Sequence, residues 1–294
     1  MVAGTARRHG ENPLGCTWQT GATDVAWLSN KRSRLMRTNQ VKRKLAAGAV
    51  SIGTMVFEFG STGIGRIMGQ AGADFVVYDM EHSGWSIETI RNLMATTRSA
   101  DIVPLVRVPA TQYHLMSRPL DVGAMGLMIP MVESVEQAKL IAQSVKYPPL
   151  GRRGSAFGFA HDDYAPGDVN QKMESANQEV LTMAQIETKD GVDNVEAIAA
   201  VDGIDVLWIG HFDLSVSLGV PAQFEHPLYM EAVERVLAAA NNANKVAGIM
   251  TGGVAIGREQ LAQGFRMMAY SGDVMIYGEA LRQGLDALRQ PAKV

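Results

Sequence analysis

Cysteine is nearly absent from this sequence, since Cys16 is the only one among 294 residues. A single cysteine excludes a disulfide framework within the chain and is typical of a protein in a reducing cytoplasm, which is the location we predict. Long apolar runs are missing too. No stretch is long enough to cross a membrane or to form the core of a signal peptide, so we expect no membrane partner.

Positive charge is scarce outside one short segment. Nine lysines and arginines precede residue 45, against the two acids Glu11 and Asp24, which leaves 18 basic and 28 acidic residues in the remainder. An acidic body argues against a nucleic-acid groove, so we expect no nucleic-acid partner. The basic segment lacks apolar periodicity. We predict that residues 1–40 form a poorly ordered basic leader rather than a targeting signal or a nucleic-acid arm.

Beyond residue 48, apolar runs alternate with amphipathic ones. The runs are short, rich in Val, Ile, Leu and Met, and nearly continuous in apolarity, as expected of strands that are covered on both faces. The predicted strands span residues 51–57, 74–79, 103–108, 126–130, 181–186, 205–209, 246–250 and 266–270. Between them, Ser86 and Ser134 each precede an early acid and an apolar pattern, which predicts a helix start at both positions.

Eight β–α pairs in about 240 residues match the size of one (β/α)₈ TIM barrel. We therefore predict an α/β fold in which residues 41–294 form a single TIM-barrel catalytic domain. A glycine-rich segment, residues 60–65, follows the first strand, but it lacks the lysine of a P-loop and the spacing of a dinucleotide fingerprint. It is interpreted as an ordinary βα turn. The long, glycine-rich connection over residues 148–180 predicts a lid or a binding loop.

Two acids close neighbouring strands of this predicted barrel. Glu187 follows the fifth strand and Asp213 follows the sixth, so both would lie on the rim formed by the carboxyl ends of the strands. Paired carboxylates there are a plausible site for a hard cation such as Mg²⁺ or Mn²⁺. The alternative is that each acid caps the helix behind it.

Further polar residues converge on the same rim. Asp79, Glu81 and His82 follow the second strand, and Arg107 lies within the third, where a guanidinium needs an anionic partner. Singly, His82 could be an ordinary loop histidine, Asp79 a turn cap, and Arg107 the partner of Glu81 in a structural ion pair. Their joint occurrence beside two spare carboxylates favours an active site.

Five segments in the same order resemble motifs of the HpcH/HpaI aldolase family, which comprises class II, metal-dependent pyruvate aldolases and has macrophomate synthase as a relative. The segments are residues 78–82, 105–107, 147–154, 185–188 and 209–215. The resemblance runs from about residue 49 to residue 289. It implies a TIM barrel of the phosphoenolpyruvate/pyruvate type that assembles as a homo-oligomer, a hexamer with helix exchange between neighbours.

The resemblance also implies roles for the rim residues. Glu187 and Asp213 would bind a divalent metal cation, which could be Mg²⁺, Mn²⁺ or Co²⁺. Arg107 would lie beside the keto oxygen of the substrate, and His82 with Asp79 would form the acid–base pair.

The remaining implied roles concern substrate binding. Gln185 would orient a metal-bound water, and backbone amides from Gly210 to Asp213, including those of His211 and Phe212, would hold the substrate carboxylate. The family commonly has proline and a small residue where this chain has His211 and Phe212. We expect these larger side chains to reshape the pocket wall.

The implied reaction is reversible cleavage of a 4-hydroxy-2-oxo acid to pyruvate and an aldehyde through a metal-bound pyruvate enolate. Its partners would therefore be a small 2-oxo acid and an aldehyde. Three alternatives stay open. A Schiff-base aldolase needs a lysine at the rim, and neither Lys189 nor Lys245 is well placed. The others are a citrate-lyase-β-like CoA-ester lyase and a non-catalytic metabolite-binding barrel.

Overall fold

The chain forms a closed barrel of eight parallel strands that pair in chain order, β1 next to β2 and so on until β8 meets β1. The computed structural model describes residues 36–290, so all but the last five residues of the predicted leader lie outside the described residues. The predicted (β/α)₈ barrel is confirmed. The strands are β1 Ser51–Val56, β2 Phe75–Asp79, β3 Val103–Arg107, β4 Gly126–Ile129, β5 Leu181–Ile186, β6 Val206–Ile209, β7 Val246–Thr251 and β8 Met267–Gly272.

A helix or a helix pair follows each strand, as the alternating pattern predicts. The helices are α1 Gln40–Ala46, α2 Ile64–Gln70, α3 Ile87–Thr97, α4 Tyr113–Asp121, α5 Val135–Val145, α6 Val169–Glu179, α7 Lys189–Asp193, α8 Val195–Ala199, α9 His211–Ser217, α10 Pro227–Asn242, α11 Val254–Gln263 and α12 Asp273–Arg289. Within residues 36–290, no helix is both long enough and apolar enough to span a membrane.

Apolar side chains from the strands fill two separate layers. One set lies inside the barrel and includes Leu105, Met183 and Trp208. The other faces the surrounding helices and includes Val106 and Leu207. Because neighbouring residues of a strand point to opposite faces, both faces are buried and the strand sequences are apolar throughout.

The amino-terminal end of the barrel is closed by α1. Val41 and Leu45 of this helix belong to the apolar cluster inside the barrel. Asn39 is fully buried, caps α1 by accepting the N–H of Lys42 at 3.0 Å, and donates to the carbonyl of Met125 at 2.9 Å. This end is therefore sealed, and access to the barrel interior is left to the opposite, carboxyl end.

The predicted helix starts are confirmed by their caps. Ser86 accepts the backbone N–H of Thr89 at the start of α3. Ser134 and Gln137 form a capping box at the start of α5, with each side chain bonded to the other residue's backbone N–H. Such caps satisfy donors that the first turn of a helix leaves unpaired.

The long connection over residues 148–180 is more ordered than its sequence suggested. Its second half is the eleven-residue helix α6, preceded by a 3₁₀ turn over Ala160–Asp162. A buried ion pair joins Lys172 of α6 to Asp162 at 2.6 Å, and Arg153 binds Asp121 at the end of α4 at 2.6 Å. These contacts fix the helical second half in place, and the expectation of a lid or binding loop stays a prediction.

Candidate active site

The loop that follows β2 is folded around the carboxylate of Asp79, the last residue of that strand. Oδ2 of Asp79 accepts the backbone N–H of His82 at 2.9 Å, and Oδ1 accepts that of Glu81 at 3.2 Å. An aspartate that binds backbone N–H groups two and three residues later turns the chain sharply. Fully buried Asp79 thus fixes the positions of Glu81 and His82 at the carboxyl end of the barrel.

Arg107 ends the neighbouring strand, β3, directly beside Asp79. Its Nε donates to Asp79 Oδ1 at 2.5 Å, and its Nη1 lies 3.2 Å from Glu81 Oε2. The side chain is 9% exposed, so the prediction that this guanidinium needs an anionic partner is confirmed. The alternative, an ion pair between Arg107 and Glu81, is also present. Two carboxylates and the ring of Phe57, 5.9 Å away, hold the guanidinium in one orientation.

The imidazole of His82 has a different neighbour from the one expected. We expected Asp79 to orient this ring, but His82 gives Asp79 its backbone N–H, while Arg107 binds the same carboxylate. The ring Nε2 lies 3.7 Å from Glu81 Oε2 instead, and the side chain is 58% exposed. The imidazole is therefore accessible at the rim and has Glu81 as its anionic neighbour.

Glu81 is a rim residue to which the sequence reasoning gave no catalytic role. Burial raises the pKa of Glu81 to about 7; Arg107 opposes this rise, and the charges of Asp79 and Asp213 add to it. Within residues 36–290, its buried Oε2 has no hydrogen-bond donor with good geometry. Glu81 lies in the sequence between Asp79 and His82, which are both predicted catalytic residues, and this position is the signal that could have identified it.

Glu187 follows β5 and turns its side chain into the rim. Oε1 accepts the backbone N–H of Met131 at 2.6 Å, and Oε2 accepts Nε2 of Gln185 at 2.5 Å. The alternative that Glu187 caps the next helix is wrong, because Thr188 caps α7 by accepting the N–H of Gly191. Burial raises the pKa of Glu187 to about 7; these hydrogen bonds oppose the rise, and nearby carboxylates add to it.

Asp213 lies in the first turn of α9, after β6. Asp213 is exposed, and the N-cap residue of the helix, Gly210, has no side chain to cap it. A side chain at position 210 would run into Oε2 and Cβ of Glu187. Glycine therefore allows β6 to end directly beside Glu187, which places Asp213 on the same part of the rim.

The three carboxylates of Glu81, Glu187 and Asp213 interact electrostatically. The charge of Asp213 raises the pKa of both glutamates, and Glu81 raises that of Glu187. Like charges gathered in a poorly solvated place are unfavourable unless a cation joins them. In the described part of the chain, no three His, Cys, Asp or Glu side chains form a complete metal site. The oxygen donors present fit a hard divalent cation that substrate and water would help to coordinate.

An aromatic cluster forms one wall beside these acids. The ring of His211 lies 4.8 Å from that of Phe212 and 5.5 Å from that of Phe224, and Phe224 also packs edge-on against Tyr229. Burial lowers the pKa of His211, and the charge of Asp213 opposes this. Phe212 is 57% exposed, so it presents an apolar surface next to Asp213.

A family profile described as HpcH/HpaI aldolase/citrate lyase matches residues 55–280. The chain belongs to the HpcH/HpaI aldolase/citrate lyase family. A curated relative, hydroxypyruvate/pyruvate aldolase of Roseobacter denitrificans, is 33% identical over 243 residues, which are 80% of this chain and 91% of the relative.

Two solved structures have a similar fold. The HpcH/HpaI aldolase from Desulfitobacterium hafniense is 34% identical with a TM-score of 0.82, covering 85% of this chain and 97% of that one. Macrophomate synthase is 24% identical with a TM-score of 0.77, covering 92% and 97% respectively. This second similarity shows the fold alone. The family resemblance drawn from the five sequence segments is confirmed.

In this HpcH/HpaI chain, residues from four strands and their loops meet at one end of the barrel. The predicted residues found there are Asp79, His82, Arg107, Gln185, Glu187, Gly210, His211, Phe212 and Asp213. Glu81 joins them. Their catalytic, metal-binding and substrate-binding roles stay predictions, which the geometry allows us to make more specific.

Proposed function

We propose that the chain catalyses the reversible, metal-dependent cleavage of a 4-hydroxy-2-oxo acid to pyruvate and an aldehyde. The coarser assignment, an enzyme of the aldolase class, follows from its family and from its curated aldolase relative. The observation that carries the finer proposal is the buried Arg107 guanidinium, fixed on the same rim as the carboxylates of Glu187 and Asp213.

Glu187 and Asp213 are the residues that would hold Mg²⁺, Mn²⁺ or Co²⁺. When bound, the cation would withdraw charge from the C2 carbonyl of a 2-oxo acid, which favours negative charge at C3. Gln185 and the N–H of Met131 fix the Glu187 carboxylate from two sides. These two contacts preorganise the carboxylate for binding.

Arg107 supplies fixed positive charge where the oxygen at C2 becomes negative. Its ion pairs with Asp79 and Glu81 hold the guanidinium in place, so little reorganisation is needed as charge develops. One preorganised donor of this kind contributes about 3–4 kcal/mol to transition-state stabilisation. Arg107 is therefore the side chain with a direct electrostatic role at the oxygen on C2 in the proposed mechanism.

His82 is the group best placed to accept the proton from the C4 hydroxyl during cleavage. Its imidazole is exposed at the rim, and a histidine can exchange protons near neutral pH. Glu81, 3.7 Å from the ring, would stabilise the imidazolium that forms. We therefore assign to Glu81 the role of acid–base partner of His82, which the family resemblance implied for Asp79. Asp79 instead holds the loop after β2 and the side chain of Arg107 in place.

The first turn of α9 would bind the substrate carboxylate. Backbone N–H groups of a helix's first turn have no partner inside the helix. Here the N–H groups of His211, Phe212 and Asp213 occupy that turn. The aromatic wall beside it favours an acceptor aldehyde with an apolar or aromatic substituent over a highly charged one.

The test is a screen of 4-hydroxy-2-oxo acids with purified protein and each of the three cations, with pyruvate release as the measurement. We expect activity that is abolished by EDTA and restored by added metal. Glu187→Gln should be inactive, whereas Glu196→Gln, at an exposed surface ion pair, should be fully active. Retained activity in EDTA, or borohydride trapping of a covalent pyruvate adduct, would favour the Schiff-base alternative instead.

A further inference from the structure

A small cavity lies at the amino-terminal end of the barrel, opposite the candidate active site. Its volume is about 30 Å³. The wall includes residues just before β4, such as Ala124, and residues just before β5, such as Val180. A cavity must offer roughly 10–15 Å³ to hold one water molecule, so this one admits one or two waters or a monatomic ion and excludes an organic substrate.

Three polar side chains of the cavity wall each have one buried nitrogen that has no partner among the described residues. Within residues 36–290, Nη1 of Arg37, Nε of Arg153 and Nδ1 of His161 accept or donate no hydrogen bond. Arg153 is 3% exposed and His161 is 8% exposed. Leaving a buried polar group unsatisfied is costly, and three of them around one cavity indicate an occupant.

All three nitrogens are suited to donate. Burial, with a smaller effect of Arg98, lowers the pKa of Arg37 to about 10, so its guanidinium is still charged at neutral pH, and Nε of an arginine always carries a proton. For His161, the Tyr147 hydroxyl lies 3.5 Å from Nε2, and burial raises the pKa of Tyr147, so the phenol keeps a proton to donate. Burial and Arg153 lower the pKa of His161, which favours a neutral ring. When Nε2 of that neutral ring accepts, Nδ1 carries the ring proton and is a donor.

The charged side chains of the cavity wall also favour an occupant that accepts hydrogen bonds. Glu179 is the acidic side chain that lines the cavity, and its two oxygens already accept from Arg43 and from the backbone of Asn39, both at 2.6 Å. Nη2 of Arg153 forms an ion pair with Asp121, which leaves Nε of Arg153 without a partner among the described residues. A water in this cavity would need acceptors for its own protons, whereas an anion needs donors only.

We propose that this cavity binds a small monovalent inorganic anion of the size of chloride. The anion would accept hydrogen bonds from Arg37, Arg153 and His161 and would tie the connection that contains Arg153 and His161 to the base of β4 and β5. This site is separate from the candidate active site. Its role is to stabilise the folded chain, so it does not depend on the proposed aldolase reaction.

The first test is crystallography of the full chain grown with bromide in place of chloride. We expect an anomalous bromide peak in the cavity, within hydrogen-bond distance of Nε of Arg153 and Nδ1 of His161. A water molecule there without anomalous signal would overturn the proposal, as would a peak confined to the protein surface, which would be an adventitious ion only.

The second test measures thermal unfolding in sodium chloride and in sodium gluconate at equal ionic strength. We expect the midpoint to be higher in chloride by about 3 °C, because a ligand that binds only the folded state stabilises it. His161→Phe keeps a ring that packs against Phe157 and removes the hydrogen-bond donor Nδ1. We expect the chloride concentration that gives half of the maximal rise in the unfolding midpoint to increase about ten-fold in this variant.

Two variants complete this second test. Arg153→Lys keeps the positive charge but removes Nε, so it should behave like His161→Phe. His114→Phe makes the same change at an exposed histidine and should leave the chloride response unchanged. The proposed site would be contradicted if the unfolding midpoint were the same in chloride and in gluconate. It would also be contradicted if both cavity variants showed the same dependence of the midpoint on chloride as the unaltered protein.

Discussion

At the scale of the single residue, Arg107 is the side chain on which the proposed chemistry depends most. We predict that Arg107→Ala lowers kcat by about 10²–10³-fold, because it removes the fixed charge that stabilises the developing oxyanion. Arg107→Lys should retain part of the activity, since it keeps the charge but cannot bind Asp79 and Glu81 through two separate nitrogens. Steady-state cleavage kinetics, followed by pyruvate release, measure the effect.

The same substitution also leaves the buried Asp79 carboxylate without its partner, so folding must be measured alongside activity. Removal of one member of a buried ion pair typically costs about 3–5 kcal/mol of stability. Arg66→Ala is the control, because this exposed arginine contacts only the hydroxyl of Ser99 by hydrogen bonds within the described residues. A folded Arg107→Ala protein with near-normal cleavage would contradict the role assigned to Arg107.

Two glutamates of the rim make metal binding depend on pH. The pKa values of Glu81 and Glu187 are raised from 4.5 to about 7 in the folded chain. Because the folded chain holds these two protons more tightly than the unfolded chain, the stabilisation that they give to the metal-free protein is complete below about pH 4.5. This stabilisation is lost as the pH rises through about 7. A cation must displace these protons, so we predict that Mn²⁺ raises the unfolding midpoint much more at about pH 8 than at about pH 6.

Matched variants separate this effect from general ionic stabilisation. Glu187→Gln should abolish the Mn²⁺ response at both pH values, whereas Glu196→Gln should preserve it. Measurements with EDTA supply the metal-free reference at each pH. A Mn²⁺ response of equal size at both pH values would show that these carboxylates do not titrate with metal binding.

At the scale of the structural element, Asp273 closes the barrel at its carboxyl end. This buried residue begins α12, and its carboxylate accepts three backbone N–H groups of the loop after β1, from Phe57 at 2.9 Å, Glu58 at 2.9 Å and Phe59 at 2.7 Å. The ring of Phe57 in turn lies over the guanidinium of Arg107. Asp273 therefore joins β8 and α12 to the loop that borders the candidate active site.

We predict that Asp273→Ala destabilises the fold by about 3 kcal/mol or more, because it leaves three partly buried donors unsatisfied. Urea unfolding measures the loss. Asp286→Ala removes a carboxylate from the exposed face of the same helix, where it pairs with Arg289, and should change stability by less than about 1 kcal/mol. Equal effects of the two substitutions would show that the contacts of Asp273 add no stability.

The elements themselves were predictable where burial follows the hydrophobic pattern. All eight strands lie within two residues of their predicted bounds, because both faces of each strand are buried and the sequence is apolar throughout. Helix α6 was missed because the face that it buries consists of Lys172, Ala176 and Asn177. A helix that buries polar side chains in ion pairs and hydrogen bonds lacks the apolar periodicity by which helices are recognised.

The candidate active site was predictable to the extent that barrel topology determines which strand ends are neighbours. Glu187 and Asp213 were expected on one rim for this reason. The partner of His82 was not predictable, because Asp79 could bind either the ring or the backbone of that residue. Sequence spacing does not distinguish these two arrangements, and the turn after β2 selects the backbone.

At the scale of the whole molecule, α12 carries an apolar surface that is largely exposed in the described chain. Tyr277, Leu281 and Leu285 lie on one face of this helix and are 58%, 47% and 41% exposed. A groove of about 580 Å³ runs between α12 and α2, lined by apolar side chains that include Ile67. Extended apolar surfaces of this kind on a single chain mark sites of association.

We therefore predict that the protein is a homo-oligomer in solution and that α12 lies in its interface, the hexamer implied by the family resemblance being the expected form. The double substitution Leu281→Lys, Leu285→Lys should weaken assembly by about 3 kcal/mol or more, since each leucine contributes roughly 1.5–3 kcal/mol when buried. Light scattering coupled to size-exclusion chromatography would then report the mass of one chain. Gln283→Lys, which adds one positive charge to the same helix at a polar position, should leave the oligomer intact. A wild-type protein that remains monomeric at high concentration would contradict this prediction, and the exposed leucines would then need another partner.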